Sequence, residues 1–255
     1  MKDSFLRIYS LLDITRLEGT DTRSVINRFV SEILHNYHTY RCRPAAVCVF
    51  PVFAIQVRDL LLGTEIKTAC VAGAFPHGQL PLHMKADEVK FALDAGADEI
   101  DYVINRGRFL EDGAEYLFEE VAHIRQVCGQ SSLLKVILET GELEKPENMK
   151  RAAAAAIKGG ADFVKTSTGK AAESATLKSV DMLCEAVKDH FLRTGIKIGI
   201  KPAGGISEPE DAERYIQTVI RGTGPEWIHP ERMRIGASRL ALKLLQQENK
   251  DLGGY

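Results

Sequence analysis

A lysine ends a short apolar run in Phe163-Val164-Lys165-Thr166-Ser167-Thr168-Gly169-Lys170, and small hydroxyl residues, a glycine and a second lysine follow it. The segment Ala161–Lys165 is typical of a buried strand, because an alanine-rich helix pattern precedes it and ends at Gly159-Gly160. A buried ammonium group is costly unless it is paired or chemically used. When its surroundings disfavour the charged form, its pKa falls and the free amine becomes a nucleophile towards carbonyl carbon. Lys165 is therefore our candidate for a nucleophile that forms a Schiff base.

The chain on both sides of this stretch alternates between strand patterns and helix patterns, which implies parallel βαβ units. The strands are predicted at Ser10–Leu17, Ala45–Phe50, Ile66–Ala72, Glu99–Ile104, Leu133–Leu138, Ala161–Lys165, Ile196–Lys201 and Met233–Ala237. The helices are predicted at Asp21–His35, Val52–Leu62, Leu82–Leu93, Glu111–Cys128, Pro146–Ile157, Leu177–Leu192, Pro209–Ile220 and Ser238–Glu248.

Ionisable residues recur on five successive predicted strands, at intervals of about one βαβ unit, roughly 30 or more residues. They are Asp101, Lys135, Lys165, Lys201 and Arg234. In a closed barrel these side chains would converge at one end of the interior. An open doubly wound sheet is the alternative, but no GxGxxG motif follows the first strand. The predicted fold is therefore α/β: a single (β/α)8 TIM barrel over residues 1–255, with an N-terminal extension and a flexible tail over residues 249–255.

Length and composition exclude several classes of protein. The chain has 255 residues, of which 45% are hydrophobic, and its formal net charge is −2. It therefore has enough apolar residues for a large core and lacks the basic excess of a nucleic-acid-binding protein. No apolar run reaches membrane-spanning length, and the first residues lack the apolar core of a signal peptide. We expect neither a nucleic-acid nor a membrane partner.

The cysteines and histidines predict neither disulfides nor a metal site. The five cysteines are odd in number and none has CxxC spacing, which argues against a disulfide framework or a zinc cluster and fits a reducing cytoplasm. The seven histidines show no HExxH or other metal-ligand spacing. We therefore expect a cytoplasmic protein that needs no metal and no other cofactor.

Two further residues give Lys165 a chemical context. Lys201 has the matching place on the next predicted strand, and two ammonium groups brought close repel, so the more desolvated one loses its proton more easily. Asp101 could shuttle protons between the lysines and a substrate. The alternative is structural: a lysine reaching solvent from a strand end, and a salt bridge at Asp101. Lys135 and Glu139 share a strand face and could form an ion pair that shapes the pocket.

Small residues follow three predicted strands in succession, as Gly169-Lys170, Gly204-Gly205 and Gly236-Ala237-Ser238. Glycines let backbone N–H groups approach an anion closely, and the start of the following helix adds its positive end. In barrels a phosphate is often held by the loops after the seventh and eighth strands. The alternative for Gly204-Gly205 is a tight turn without a ligand. Together the three turns predict a phosphorylated substrate.

Several motifs together resemble the deoxyribose-phosphate aldolase family, and the likeness runs from about Leu11 to Leu242. The motifs are FVKTSTGK, LLKVILETGEL, GADEIDYVINRG, AAVCVFP, FPHG and KPAGGI. The most specific feature is KTSTGK followed, one βα unit later, by KPAGG. The resemblance implies a class I aldolase barrel that cleaves 2-deoxy-D-ribose 5-phosphate reversibly into acetaldehyde and D-glyceraldehyde 3-phosphate, as in deoxyribonucleotide catabolism.

By position, the resemblance implies that Lys165 is the Schiff-base lysine, that Lys201 perturbs it and that Asp101 relays protons. It also implies substrate or phosphate contacts for Thr15, Gly169, Lys170, Gly204, Gly205, Gly236 and Ser238. The chain departs from the family at Arg239, where a second serine is common; this arginine could strengthen phosphate binding or point to solvent.

The chain ends in Gly253-Gly254-Tyr255, and some members of the family end in a tyrosine that folds into the site and assists proton transfer at the enamine carbon. Tyr255 is therefore a further candidate, against the alternative of a disordered tail. Two other functions remain open: a Schiff-base lyase or transaldolase for another sugar phosphate, and a silent barrel that only binds phosphorylated sugars. A homodimer is one assembly that the sequence leaves open.

Overall fold

Every named strand of the computed structural model belongs to one eight-stranded sheet within residues 2–251, which are the residues that the structure describes; side chains are described for residues 6–247. The strands are β1 (Leu12–Thr15), β2 (Ala46–Val49), β3 (Lys67–Ala72), β4 (Glu99–Val103), β5 (Leu133–Ile137), β6 (Phe163–Lys165), β7 (Gly199–Lys201) and β8 (Ile235–Ala237). Each strand from β1 to β6 pairs in parallel with the next, and β1 also pairs with β8. Parallel bridges Ile200↔Met233 and Ala203↔Gly236 join the remaining two edges. The predicted (β/α)8 barrel is thereby confirmed.

Helices surround the barrel and connect its strands. They are α1 (Lys2–Ser10), α2 (Arg23–Tyr40), α3 (Ala54–Leu60), α4 (Leu82–Asp94), α5 (Arg106–Asp112), α6 (Ala114–Cys128), α7 (Pro146–Lys158), α8 (Leu177–Thr194), α9 (Pro209–Thr223) and α10 (Arg239–Asp251). Single 3-10 turns lie at Pro51–Phe53, Thr140–Glu142 and Pro225–Trp227. Across residues 2–251, every helix is too short or too polar to span a bilayer.

Local sequence explains where the helix after β6 begins and ends. The Thr176 hydroxyl accepts a hydrogen bond from the backbone N–H of Ser179, and the Ser179 hydroxyl oxygen accepts one from the N–H of Thr176, so the two form a capping box. Gly195 ends the helix in the left-handed conformation, at φ +73°. These signals fix the long loop between β6 and α8, which carries Gly169 and Lys170 towards the barrel mouth.

The structure shifts several predicted boundaries, such as the end of α2 to Tyr40 and the start of β7 to Gly199, and two of its corrections have a clear local cause. The first strand begins at Leu12, because Ser10 is the last residue of the N-terminal helix α1, which forms the expected N-terminal extension. The single helix predicted over Glu111–Cys128 is two helices, α5 and α6, because Gly113 at φ +86° interrupts the helical backbone. Of the tail predicted over residues 249–255, residues 249–251 belong to α10 and the rest lie outside the described residues.

Strand register places the polar side chains. Lys165 on β6 pairs in register with Lys201 on β7, and Asp101 on β4 pairs with Lys135 on β5. Because in-register neighbours in a parallel sheet point to the same face, each pair enters the interior side by side. The barrel core is therefore polar along one wall, whereas the space between the strands and helices is filled by the main apolar core.

A close packing contact supports the lower part of this polar wall. A Cβ atom on Gly199 would lie 2.3 Å from the Phe163 ring, so only glycine leaves room for that ring on the neighbouring strand. The Phe163 ring in turn lies beneath the guanidinium group of Arg234, with 5.5 Å between ring centre and Cζ. Gly199 thus lets an aromatic ring and an arginine share the closed end of the barrel.

Candidate active site

Lys165 lies at the carboxyl end of β6 and is almost fully buried, with 4% of its surface exposed. Its ammonium nitrogen lies 2.6 Å from Oδ2 of Asp101, which is its ion-pair partner in the described residues. Burial lowers the pKa of Lys165; the Asp101 carboxylate opposes this shift and the Lys201 ammonium adds to it, and the net direction is downward. A neutral amine can still donate one N–H to the carboxylate while its lone pair is free.

Lys201 lies beside this amine on the neighbouring strand, Asp101 contacts both nitrogens, and neither Lys201 nor Asp101 is exposed. The nitrogen of Lys201 lies 2.6 Å from the same Asp101 oxygen that Lys165 contacts, and 2.5 Å from Oδ2 of Asp13. Burial by itself raises the pKa of Asp101, but the ammonium groups of Lys135, Lys165 and Lys201 outweigh it, so the pKa lies well below its usual range. The structure therefore brings the three predicted catalytic side chains together around one ionised carboxylate.

Two carboxylates that the sequence patterns left unassigned complete the interior. Asp13 Oδ1 lies 2.7 Å from the guanidinium group of Arg234, and Glu99 accepts from the same group at 2.8 Å. Lys135 lies 2.5 Å from Glu99 and 2.7 Å from Asp13. The period of two residues along a strand could have found Glu99, because it shares a face with Asp101. No comparable sequence pattern points to Asp13, since its partners are distant in sequence.

We call the resulting set of seven side chains the interior ion cluster: Asp13, Glu99, Asp101, Lys135, Lys165, Lys201 and Arg234.

The expected ion pair between Lys135 and Glu139 is not formed. Lys135 contacts Asp13, Glu99 and Asp101 instead. Glu139 lies beyond the end of β5 in the left-handed conformation, at φ 53°, which turns its carboxylate away from the interior ion cluster. There it accepts hydrogen bonds from the backbone N–H and the hydroxyl of Thr168. Glu139 thus holds the loop that follows β6.

A cleft of about 330 Å³ opens above Lys165 at the carboxyl ends of the strands. Lys165 lines its floor, together with every residue predicted to contact substrate or phosphate: Thr15, Gly169, Lys170, Gly204, Gly205, Gly236, Ser238 and Arg239. The rim also carries one carboxylate, Glu18, whose Oε1 lies 3.4 Å from the Lys170 nitrogen. Asp101 and Lys201 do not line the cleft, so they reach a ligand only by way of Lys165 or a bridging molecule.

The glycines of the cleft are required by backbone geometry. Gly204 has a φ of +86°, and a Cβ atom there would lie 2.5 Å from the hydroxyl oxygen of Ser174. Gly169 has a φ of +78° and packs against Gly204. The segment Gly236–Ser238 leads directly into α10, whose positive amino end therefore faces the cleft. This cleft is suited to an anion, because it offers glycine backbone N–H groups, the amino end of a helix and two cationic side chains.

An apolar surface lies across the barrel from the lysines. It consists of Leu17, Ala46, Cys48, Ala69 and Val71, with Phe50 and Phe75 packed against it. Burial raises the pKa of Cys48 to about 11, so the thiol is neutral near pH 7. Of these residues, Leu17 lines the cleft. Among the described residues, no group of three His, Cys, Asp or Glu side chains is arranged to hold a metal ion. Tyr255 lies outside the described residues.

Comparison with known proteins agrees with this geometry. Residues 13–225 match the DeoC/LacD family aldolase. The deoxyribose-phosphate aldolase of Homo sapiens is 38% identical over 254 residues, which cover 95% of this chain and 80% of the human protein. The deoxyribose-phosphate aldolase of Agrobacterium fabrum is 39% identical over 231 residues, covering 90% and 85% of the two chains. The tetrameric deoxyribose phosphate aldolase from Aeropyrum pernix superposes with a TM-score of 0.74 at 27% identity, covering 98% of this chain and 97% of that one.

Proposed function

The chain belongs to the DeoC/LacD family of aldolases, and from this premise we propose that it cleaves 2-deoxy-D-ribose 5-phosphate reversibly into acetaldehyde and D-glyceraldehyde 3-phosphate. The observation that carries the proposal is a buried lysine that shares one carboxylate oxygen with a second lysine, directly beneath an anion-suited cleft. Its reaction belongs to deoxyribonucleotide catabolism, because its substrate is a deoxyribose phosphate.

The first step is formation of a covalent imine. The neutral amine of Lys165 attacks the aldehyde carbon C1 of the open-chain sugar phosphate, and loss of water gives a cationic imine. The Asp101 carboxylate, 2.6 Å from the nitrogen, stabilises that positive charge inside the barrel. The imine is the electron sink for the cleavage that follows.

The second step breaks the bond between C2 and C3. A base removes the proton of the 3-hydroxyl, the electron pair of the C2–C3 bond passes into the imine, and D-glyceraldehyde 3-phosphate leaves. The resulting enamine takes a proton at C2, and hydrolysis then releases acetaldehyde and the free amine. Asp101 accepts hydrogen bonds from both Lys165 and Lys201, and Asp101 and Lys201 are shielded from solvent, so these two groups can relay the protons through the bound substrate or a water molecule.

The phosphate end of the substrate is assigned to the glycine loops. The backbone of Gly204 and Gly205 and the amino end of α10 offer N–H donors, and Lys170 and Arg239 add positive charge at the rim. Thr15, whose hydroxyl donates to the Asp13 carbonyl at 2.9 Å, lines the same cleft. In this proposal the aldehyde carbon meets Lys165 and the phosphate meets the glycine loops.

Borohydride reduction in the presence of acetaldehyde tests the proposal. Reduction of the imine adds an ethyl group, and mass mapping is expected to find that mass on Lys165 only. The Lys165→Ala variant is expected to lose both the adduct and the cleavage of deoxyribose phosphate, whereas Lys170→Ala is expected to keep the adduct and to bind the substrate more weakly. A Lys165→Ala enzyme with full cleavage activity would rule the mechanism out.

Two other functions make different predictions in the same experiments. A lyase or transaldolase for another sugar phosphate would form the adduct but prefer a different member of a substrate panel. A barrel that only binds phosphorylated sugars would bind deoxyribose phosphate and gain no mass with acetaldehyde. The match to relatives named for deoxyribose-phosphate cleavage favours the first proposal over both.

Our proposals for the cellular location and the subunit assembly rest on less specific observations. The five cysteines are all buried, and their odd number without CxxC spacing fits a reducing cytoplasm. A homodimer stays our proposal for the assembly, although the Aeropyrum pernix relative is a tetramer. Light scattering of the purified protein measures the number of subunits directly.

A further inference from the structure

The interior ion cluster is closed: among the described residues, none of its seven side chains pairs with a charged group outside it. Each of the seven has at most 4% of its surface exposed. Water therefore screens these charges weakly, and they must be balanced by one another. The balance is set by how many cations and how many anions the barrel encloses.

The enclosed charges do not cancel when every group is ionised. Four members are cationic side chains, Lys135, Lys165, Lys201 and Arg234, whereas only three carboxylates face them. An uncompensated charge in a buried environment is costly, and a group that can titrate neutralises instead. The cluster is neutral when exactly one of its lysines has lost its proton, because an arginine keeps its charge under all these conditions.

The contacts decide which lysine gives up its proton. Lys135 lies against three carboxylates and Lys201 against two, whereas Lys165 has a single carboxylate partner. Lys165 is also the only one of the three lysines that lines the cleft. It therefore loses least when it becomes neutral, and its proton can leave through the cleft.

We propose that Arg234, at the closed end of the barrel, keeps the nucleophile Lys165 uncharged by supplying the excess cation of the interior ion cluster. The inference rests on the proposed function and deepens it. Arg234 contacts neither Lys165 nor the cleft; its guanidinium group binds Asp13 and Glu99, and the effect reaches Lys165 through Lys201, Lys135 and Asp101. Arg234 is accordingly a positioning residue, and it acts through charge balance.

The other groups packed around the cluster do not change the count. Five of the eight strands contribute six members of the cluster, and Arg234 immediately precedes β8. The remaining strands, β2 and β3, carry the thiols of Cys48, which packs inside the barrel, and of Cys70, which packs in the main apolar core. Burial raises the pKa of both thiols, so both are neutral near pH 7. The Phe163 ring beneath Arg234 is uncharged. Within the described part of the chain, the seven cluster members therefore carry the whole balance.

The test is a set of charge variants, each assayed for the pH dependence of the borohydride-trapped acetaldehyde adduct. Arg234→Met leaves three lysines facing three carboxylates, so Lys165 keeps its proton. The rate of adduct formation rises with pH as Lys165 loses its proton, and this rising limb of the pH–rate profile is expected to move to higher pH by at least about one unit. The rate at pH 7 then falls about tenfold. The rate is expected to recover at high pH. Arg234→Lys keeps the charge and is expected to keep the wild-type limb.

The double variant Arg234→Met with Glu99→Gln separates charge from structure. It removes one cation and one carboxylate, so one lysine is again in excess and the limb is expected to return towards its wild-type position. Glu99→Gln alone, which removes only a carboxylate, is expected not to raise the limb. A purely structural role for the Arg234–Glu99 pair would instead make the double variant at least as impaired as Arg234→Met.

The outcomes are distinguishable. A limb that stays in place in folded Arg234→Met overturns this inference, and so does a double variant that is not rescued. If Arg234→Met does not fold, Lys135→Met removes a second cation that lies outside the cleft, and it must raise the limb in the same way or the inference fails. If the wild-type protein itself forms no adduct on Lys165, the proposed function fails, whatever the variants do.

Discussion

Lys165 and Lys201 lie opposite each other on adjacent parallel strands, and their side-chain nitrogens meet at a single oxygen of Asp101, 2.6 Å from each. Two ammonium groups sharing one carboxylate oxygen in a buried site cannot both be fully compensated. Burial and the neighbouring Lys201 ammonium group lower the pKa of Lys165, which faces the cleft, whereas Lys201 has a second carboxylate partner, Asp13. This asymmetry favours Lys165 as the nucleophile.

Replacing Lys201 by leucine is expected to raise the pKa of Lys165. Adduct formation needs the neutral amine, so its rate rises as the pH increases through that pKa; a higher pKa moves the limb to higher pH and lowers the rate at pH 7 by about tenfold or more. Borohydride trapping of the adduct at a series of pH values from about 6 to about 10 measures the position of this limb. Lys170→Leu, at the cleft rim, serves as the control and is expected to leave the limb in place. An unchanged limb in Lys201→Leu would contradict the assigned role.

Asp13→Asn is expected to destabilise the fold by about 3–5 kcal/mol at pH 7, because it leaves three buried cations without one of their carboxylates. Burial alone raises the pKa of Asp13, but Lys135, Lys201 and Arg234 outweigh it and hold the pKa well below its ordinary value. Its stabilising contribution is therefore complete above the unfolded-state pKa, about 3.9, and is lost as the pH falls below that value.

Urea unfolding at pH 7 and at pH 3 checks both parts of this prediction. The gap in unfolding free energy between wild type and Asp13→Asn is expected to shrink at the lower pH. Asp94→Asn makes the same chemical change in an exposed ion pair with Lys90, and it is expected to alter stability by no more than about 1 kcal/mol. A gap that widens on acidification would show that Asp13 is not an ionised member of the cluster.

Gly204→Ala is expected to weaken substrate binding more than Gly205→Ala. Both residues have positive φ, at +86° and +77°, so both substitutions incur a left-handed backbone penalty of about 1–2 kcal/mol. Only at position 204 would the new Cβ also meet other atoms, at 2.5 Å from Ser174 and 3.1 Å from Gly169. Gly204→Ala therefore displaces the loops that frame the anion site, and its KM for deoxyribose phosphate is expected to be the higher. Equal KM values for the two variants would show that these loops do not form the phosphate site.

Glu18→Gln is expected to lower the KM for deoxyribose phosphate. The Glu18 carboxylate lies at the rim of the cleft, repels a phosphate dianion and competes for Lys170. The pair is exposed, so the gain is at most about 1 kcal/mol, or roughly fivefold in KM. Unphosphorylated 2-deoxyribose provides the control, since its KM is expected to stay the same. A fall in KM for both sugars would point to a change in the cleft unrelated to phosphate.

Much of the fold followed from local pattern. Apolar runs ending in Pro, Gly or a charged residue located the strands, and helical periodicity located most helices, because both periods are properties of a short segment. Periodicity failed at Gly113, where one residue of positive φ divides a long apolar pattern into α5 and α6. It also placed Ser10 in the first strand, since it gave no sign of the N-terminal helix that ends there.

The candidate site likewise has one part that the sequence predicted and another part that it did not. The sequence by itself determined that Asp101, Lys165 and Lys201 stand on the fourth, sixth and seventh strands of a barrel, and that small, glycine-containing turns follow the sixth and seventh strands, because strand spacing and turn chemistry are local. Only the tertiary structure decided that Asp13 and Glu99 join them, that Lys135 turns to those carboxylates and away from Glu139, and that Arg234 closes the cluster from below. Asp13 and Arg234 are 221 residues apart in the chain, and they meet only because β1 and β8 close the cylinder. The balance of buried charge depends on that closure, and no short stretch of the chain contains it.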